Sequence, residues 1–300
     1  MILTSTVTFM DIDWQAILGG LGIFLFGIKF MGDGLKSLAG DKLRDIIDKY
    51  TSKPWMGLLI GVLVTVVIQS SSATTAITIG FVRAGLMRLD QTVGIIFGAN
   101  IGTTITAFLV GLKVEKYSLF FIFIGAMMLL FSKRKKQGYI GEITLGFGML
   151  FYGLMLMGDA LKVLKDIQAF HDLTMAMSTH PWWAVGGGII MTGIIQSSSA
   201  MIGIVQKIYE SGGMPFAAAL PFVFGSNIGT TVTAALAAMG GSLASRRAAG
   251  IHTLFNVLMT IIAMLMLPLY LSLLGYLTAR FGIEPMMQIA VAHIIFNLVV

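Results

Sequence analysis

The chain has no cysteine and few charged residues. None of its 300 residues is Cys, and only 11% are Asp, Glu, Lys or Arg. Without Cys the chain cannot form a disulfide, a thiolate nucleophile or a Cys-based metal site. So few charges could not cover the surface of a soluble domain in which 56% of the residues are hydrophobic. The composition therefore predicts a polytopic membrane protein that is surrounded by the lipid bilayer.

Long apolar runs decide between helices and a β-barrel. Short segments that alternate apolar and polar side chains, which barrels need, are absent from the sequence. The apolar runs are longer and rich in Gly, Ala, Met and Leu, as in packed membrane helices. We therefore expect an all-α fold. The net charge of +6 comes from loops between these runs, where basic residues indicate orientation, so no nucleic-acid partner is expected.

Two polar motifs each occur twice, 127 residues apart. The sequence QSSS at 69–72 returns at 196–199, and GANIGTT at 98–104 returns as GSNIGTT at 225–231. Such an internal duplication is typical of secondary transporters.

The duplication divides the chain into two transmembrane repeats, 1–137 and 138–300, the second with additional terminal helices. In each repeat we expect a re-entrant helical hairpin with the serines at its tip, followed by a broken helix. An arm of such a hairpin is shorter than the roughly 20 residues that cross a bilayer, and consecutive serines favour a helix break. The alternative is one continuous helix with a serine-rich stripe. The expected elements are hairpins 54–88 and 181–210 and broken helices 90–111 and 214–240.

The loop charges predict an orientation. With re-entrant hairpins the first repeat crosses the membrane three times, so the second repeat enters it inverted. Thirteen Lys and Arg residues then fall on one side and six on the other, which places the first side in the cytoplasm. We therefore expect an inner (plasma) membrane protein with its N-terminus outside and residue 300 on the cytoplasmic side.

The duplicated motifs form four polar islands, at 69–75, 98–106, 196–199 and 225–233. None contains Asp, Glu, Lys, Arg or His, which argues against acid–base or metal-hydrolytic catalysis and hence against an enzyme. Hydroxyl and carbonyl oxygens are good ligands for Na⁺, and helix N-termini attract anions. Because we expect no Lys or Arg near the serines, co-bound cations have to balance much of the charge of an anionic substrate.

Two QSSS motifs, each followed by G-x-N-I-G-T-T, resemble the type II sodium–phosphate cotransporter family, especially its bacterial members. The resemblance covers nearly the whole chain. It implies sodium-driven import of inorganic phosphate by alternating access, with substrate and Na⁺ held between the two tips and no cofactor other than the coupling ion. The binding residues carried over from the family are Gln69, Ser70, Ser71, Ser72, Asn100, Thr103, Thr104, Gln196, Ser197, Ser198, Ser199, Asn227, Thr230 and Thr231.

The two halves differ at two positions of the first island. Thr74 and Thr75 have Met201 and Ile202 as their counterparts. The first half therefore offers two more hydroxyls, and we expect an additional sodium contact at Thr74 or Thr75. The expected sodium ligands are Ser71, Ser72, Thr74, Ser198 and Ser199.

The resemblance leaves some features open. The family has an Ala/His-x-x-Phe-Asn pattern near the end of each half, whereas both copies here follow the second pair of islands. This departure leaves the roles of His252, Asn256, His293 and Asn297 open. Some bacterial relatives continue into a soluble regulatory domain. The resemblance therefore suggests two interactions to test, with a missing C-terminal cytoplasmic regulatory domain and with a second copy of the chain in a homodimer.

Two other functions fit the same islands. A sodium-coupled transporter of another small anion, such as sulfate or an organic acid, would use the same hydroxyl and backbone donors. A membrane sensor would bind phosphate without moving it, and uptake into proteoliposomes separates it from a transporter.

Overall fold

The computed structural model describes residues 7–40 and 54–299. Within these ranges the chain is helical and contains no strand. The helices are α1 Trp14–Ala39, α2 Pro54–Ile68, α3 Ser71–Arg83, α4 Leu89–Val110, α5 Ser118–Phe131, α6 Lys135–Leu161, α7 Gln168–Thr179, α8 Pro181–Ile195, α9 Ser198–Glu210, α10 Phe216–Ala238, α11 Leu243–Leu265, α12 Leu267–Phe281 and α13 Pro285–Val299.

Helix length separates spanning helices from short ones. In the described part of the chain, five helices are long and apolar enough to cross a membrane, namely α1, α4, α6, α10 and α11. Helices α2 and α8 have 15 residues each, and α3 and α9 have 13. At a rise of about 1.5 Å per residue, these four are too short to span about 30 Å of hydrocarbon. The expected all-α polytopic membrane protein is confirmed.

Helices α1 and α6 pack antiparallel along a seam of glycines. Gly20 lies against the backbone of Met157, and Gly27 lies against the backbone of Leu150. A side chain at either glycine would overlap the other helix, so only Gly permits this separation. The order of these contacts along the two helices establishes their antiparallel orientation.

Two further glycine seams each join a short helix to the long helix that follows it in the same repeat. Gly98 of α4 lies against the carbonyl of Leu58 in α2, and Gly225 of α10 lies against the carbonyl of Val185 in α8. The contacts advance in the same direction along both helices of each pair, so α2 runs parallel to α4 and α8 runs parallel to α10. The same packing therefore occurs in both repeats.

Helices α4 and α10 are continuous, so the prediction of broken helices at 90–111 and 214–240 is wrong. The hydroxyls of the islands do not break these helices, because they form hydrogen bonds within them. Thr103 Oγ1 donates to the Ala99 carbonyl and Thr230 Oγ1 donates to the Ser226 carbonyl, both one turn earlier in the same helix. The glycines of the islands permit close packing against the neighbouring helices, and they do not unwind the helices that contain them.

Candidate functional site

The first serine cluster lies at a break between two helices. Helix α2 ends at Ile68, Gln69 has a left-handed backbone with φ of 58°, and α3 begins at Ser71. The Ser70 hydroxyl accepts a hydrogen bond of 3.2 Å from the Ala73 amide, which makes Ser70 the N-cap of α3. The Thr65 hydroxyl donates to that of Thr74 at 2.9 Å, across the break. The alternative of one continuous helix is therefore wrong.

The second serine cluster repeats this geometry. Gln196 follows α8 with φ of 60°, and Ser197 caps α9 by accepting a bond of 3.2 Å from the Ala200 amide. We call Gln69–Ser72 the first tip and Gln196–Ser199 the second tip.

Both tips line one cavity of about 330 Å³, which we call the tip cavity. Its wall includes all eight residues of the two tips together with the C-terminal half of α1. The first amides of α3 and α9 have no acceptor within their own helices, and these helix ends carry partial positive charge. Two helix N-termini and their serines therefore border one space.

The tip cavity also contains charged side chains that the sequence alone did not predict there. Lys29, Asp33 and Lys36 of α1 line it, and Lys29 forms an ion pair of 2.6 Å with Asp33. The expectation that no Lys or Arg lies near the serines is therefore wrong. It failed because the sequence shows position along α1 but does not show that α1 packs beside both tips.

A second, much smaller cavity lies deeper between the repeats. It measures about 10 Å³, which is the space of about one water molecule. It is lined by three pairs of residues that are each 127 positions apart, so both repeats contribute equally. We call it the six-residue cavity, and its lining is Ser71 and Ser198, Asn100 and Asn227, and Thr103 and Thr230.

Four of the predicted binding residues line neither cavity. Thr104 and Thr231 donate to carbonyls of their own helices, Ile101 and Ile228. Thr74 joins the two arms of the first break, and Thr75 is fully buried without a hydrogen-bond partner for its hydroxyl in the described part of the chain. Of the expected sodium ligands, Ser71 and Ser198 line both cavities, and Ser72 and Ser199 line the tip cavity.

A cluster of charged residues lies at the end of α9 that is distant from the second tip. Lys207 is only 7% exposed and contacts Glu115 at 2.6 Å and Glu210 at 2.9 Å. Lys113 contacts Glu210 at 3.2 Å and Glu284 at 2.8 Å, and the bond to Glu284 is the main cause of the raised pKa of Lys113. Lys207 lies about 14 Å along α9 from Ser198. We call these five residues the charge cluster.

The oxygen chemistry of both cavities fits hard monovalent cations and oxyanions. Among the described residues, no group of three or more His, Asp or Glu side chains is arranged to hold a metal ion. The six-residue cavity offers hydroxyl and amide groups only. The fold and this duplicated polar site define a helical membrane protein with a site shared between two related halves.

The chain belongs to the Na⁺/Pi-cotransporter family. The sequence model of that family matches residues 23–159 and again residues 156–287. The two matches correspond to the two halves of the duplication. This is a family of transporters, so the expectation that the chain is not an enzyme is confirmed.

Three relatives illustrate the similarity. The uncharacterized protein YqeW of Bacillus subtilis (strain 168) is 31% identical over 92% of this chain and 88% of its own length. The putative inorganic phosphate export protein YjbB of Escherichia coli (strain K12) is 25% identical over 94% of this chain, which spans only 51% of YjbB. Sodium-dependent phosphate transport protein 2A of Rattus norvegicus is 38% identical over 32% of this chain and 15% of its own length. No solved structure matches the chain.

Proposed function

We propose that this protein is a sodium-coupled transporter of inorganic phosphate that binds its substrate in the tip cavity. The observation that carries the proposal is the convergence of both serine tips on one space. Family membership supports it, as do the names of two relatives, a putative inorganic phosphate export protein and a sodium-dependent phosphate transport protein.

The tip cavity is suited to a phosphate ion. Hydroxyls of Ser71 and Ser198 and the free amides at the starts of α3 and α9 are donors that phosphate oxygens accept. Lys29 and Lys36 add positive charge to the same wall, partly offset by Asp33. Protein charges therefore share with bound cations the task of balancing the phosphate.

The six-residue cavity is the place we assign to a sodium ion. It is small, lined by neutral oxygen-bearing side chains and next to the tip cavity, with Ser71 and Ser198 common to both. An ion there would lie close to phosphate, so each ligand would lower the electrostatic cost of binding the other. Such mutual stabilisation is the basis of coupling.

We infer that transport proceeds by alternating access between the two ends of this site. The tip cavity borders the C-terminal half of α1, whereas the charge cluster lies at the opposite end of α9. We infer that the short helices α2, α3, α8 and α9 re-enter the membrane and that the repeats are inverted. Helices α1 and α6 are equivalent in the two repeats, with Gly32 and Asp33 in α1 matching Gly158 and Asp159 in α6, so their antiparallel packing supports inversion. The loop charges favour an inner (plasma) membrane protein with its N-terminus outside and residue 300 in the cytoplasm.

The direction of transport has two candidates. An inward sodium gradient would drive import, as the resemblance implies. Export is the second candidate, because the relative that covers 94% of this chain is named as a putative exporter. Two proteoliposome assays distinguish import from export. Labelled phosphate is placed either inside or outside the vesicles, and its movement is measured under inward and outward sodium gradients.

The same assay tests the proposal as a whole. We expect phosphate accumulation that follows the sodium gradient and disappears when choline replaces sodium. Binding without accumulation would instead identify a sensor. Stronger competition by sulfate or an organic acid than by unlabelled phosphate would identify another anion as the substrate. A homodimer and a C-terminal regulatory domain remain predictions, and cross-linking in the native membrane tests the first of them.

A further inference from the structure

A chain of amide hydrogen bonds links α11 to the six-residue cavity. The Asn256 Nδ2 donates to the His252 carbonyl at 2.8 Å, one turn earlier in α11. Its Oδ1 accepts a bond of 2.9 Å from the Nδ2 of Asn100, which lines the cavity. Asn256 is fully buried. Because the Asn256 nitrogen is directed at its own helix, the Asn256 oxygen is the end that faces Asn100.

The same chain of bonds occurs at the second repeat. The Asn297 Nδ2 donates to the His293 carbonyl at 2.9 Å, and its Oδ1 accepts a bond of 3.1 Å from the Nδ2 of Asn227. The two outer asparagines are 41 residues apart in sequence, not 127. The duplicated asparagines of the site are therefore held by residues of α11 and α13, which both follow the second pair of islands.

We propose that Asn256 and Asn297 are positioning residues that orient the amides of Asn100 and Asn227 toward the ion. An Asn side chain is a donor at one end and an acceptor at the other, and the two ends are interchanged by a half-turn. When the nitrogen is engaged by an outer asparagine, the oxygen is left to face the cavity. A cation requires that orientation, and an amide free to rotate would present its nitrogen for part of the time.

The two repeats differ in how firmly this orientation is held. In the second repeat, the Asn227 oxygen also lies 3.3 Å from Nε2 of His293. Because a carbonyl oxygen only accepts, this contact requires a proton on Nε2. In the first repeat, neither ring nitrogen of His252 has a hydrogen-bond partner in the described part of the chain. Asn100 thus depends on Asn256 alone, and its oxygen is free for an ion.

The inference rests on the proposed sodium site, and the sodium dependence of phosphate uptake tests it. In proteoliposomes, Asn256→Ala should raise the sodium concentration for half-maximal uptake by about tenfold, which is the effect of one lost buried hydrogen bond. The maximal rate at saturating sodium should change little. Asn297→Ala should cause a smaller rise, since His293 still contacts Asn227. A serine side chain at position 256 is too short to reach Asn100, so Asn256→Ser should have the same effect as Asn256→Ala. Asn256→Ser replaces the alanine variant if that variant does not fold.

The matched control is Thr260→Val, one turn further along α11. Thr260 is also buried and donates to the Phe224 carbonyl of α10, but it lines neither cavity. Thr260→Val should leave the sodium concentration for half-maximal uptake unchanged. An equal rise in this control, or an unchanged half-saturation in both Asn256 variants, would overturn the inference.

A different result separates this inference from the proposed function. If uptake by the unaltered protein does not depend on sodium, the sodium site is wrong. The positioning role is then measured on the phosphate half-saturation, which Asn256→Ala should lower while Thr260→Val does not, because a freely rotating Asn100 amide can present its nitrogen to the anion. If neither half-saturation responds to the Asn256 variants, Asn256 does not position Asn100.

Discussion

Gln69 and Gln196 have the same left-handed backbone conformation, and each accepts a side-chain hydrogen bond from a threonine 37 residues later. The bonds join Thr106 to Gln69 at 3.0 Å and Thr233 to Gln196 at 2.8 Å. A left-handed conformation costs a residue other than Gly about 1–3 kcal/mol. The surrounding contacts must therefore impose it, and the bond to α4 or α10 fixes each tip on its long helix.

This relationship predicts unequal effects of two threonine substitutions. Gln69 is buried, whereas Gln196 is exposed. Thr106→Val should leave the buried Gln69 oxygen without a partner and lower the free energy of unfolding by about 1–3 kcal/mol. In Thr233→Val, water can replace the lost bond, and the loss should be smaller. Thermal unfolding in detergent measures both, and a larger loss in Thr233→Val would contradict the prediction.

The serines common to both cavities should be essential for transport. Ser71→Ala and Ser198→Ala each remove one hydroxyl with little change in volume. We expect uptake to fall by about tenfold or more, as expected when a hydrogen bond to a charged ligand is lost, while thermal stability is retained. Ser226→Ala is the matched control, because Ser226 is fully buried and, within the described residues, its hydroxyl bonds only to the Val223 carbonyl of its own helix. Unaltered uptake in both tip variants would remove the tips from the mechanism.

The lysine beside the tips should affect phosphate affinity more than maximal rate. Lys29→Gln removes a positive charge from the tip cavity and leaves Asp33 without its partner. The phosphate half-saturation should rise about threefold to tenfold, and the rise should shrink at high ionic strength because salt screens exposed charges. Asp33→Asn should change the half-saturation in the opposite direction. Lys165→Gln, outside the cavity, is the control, and the same rise there would indicate a general effect of net charge.

The charge cluster should hold one end of the site closed. Lys207→Met leaves Glu115 and Glu210 facing each other without their shared cation. Repulsion between them should open this end. Since the natural chain has no Cys, Ser211→Cys beside the cluster provides a single label for a membrane-impermeant maleimide.

Labelling of that cysteine should be faster in the Lys207→Met background than with Lys207 present. Lys165→Met is the comparison, because Lys165 does not line the cavity that contains Ser211, and it should change the rate little. Equal rates in all three proteins would show that the cluster does not restrict access.

The sequence predicted those parts of the candidate site that are visible as a repeat. A shared offset of 127 residues identified both tips and the asparagines of the islands, and capping serines predicted the helix breaks. The continuity of α4 could not be predicted, because the same glycines that suggest unwinding also permit contact with Leu58. The role of Asn256 depends on a bond across 156 residues, and the position of Lys29 depends on how α1 packs. Neither follows the repeat offset.

The glycine seams determine which parts of the molecule are able to slide past one another. Backbone contact at Gly98 and Gly225 leaves no layer of deformable side chains between each short helix and its long companion. Each pair is thus a stiff unit that carries its serine tip along with it. A movement that opens the cavity first to one side of the membrane and then to the other must therefore occur between these units and their neighbours, and not by bending within either pair.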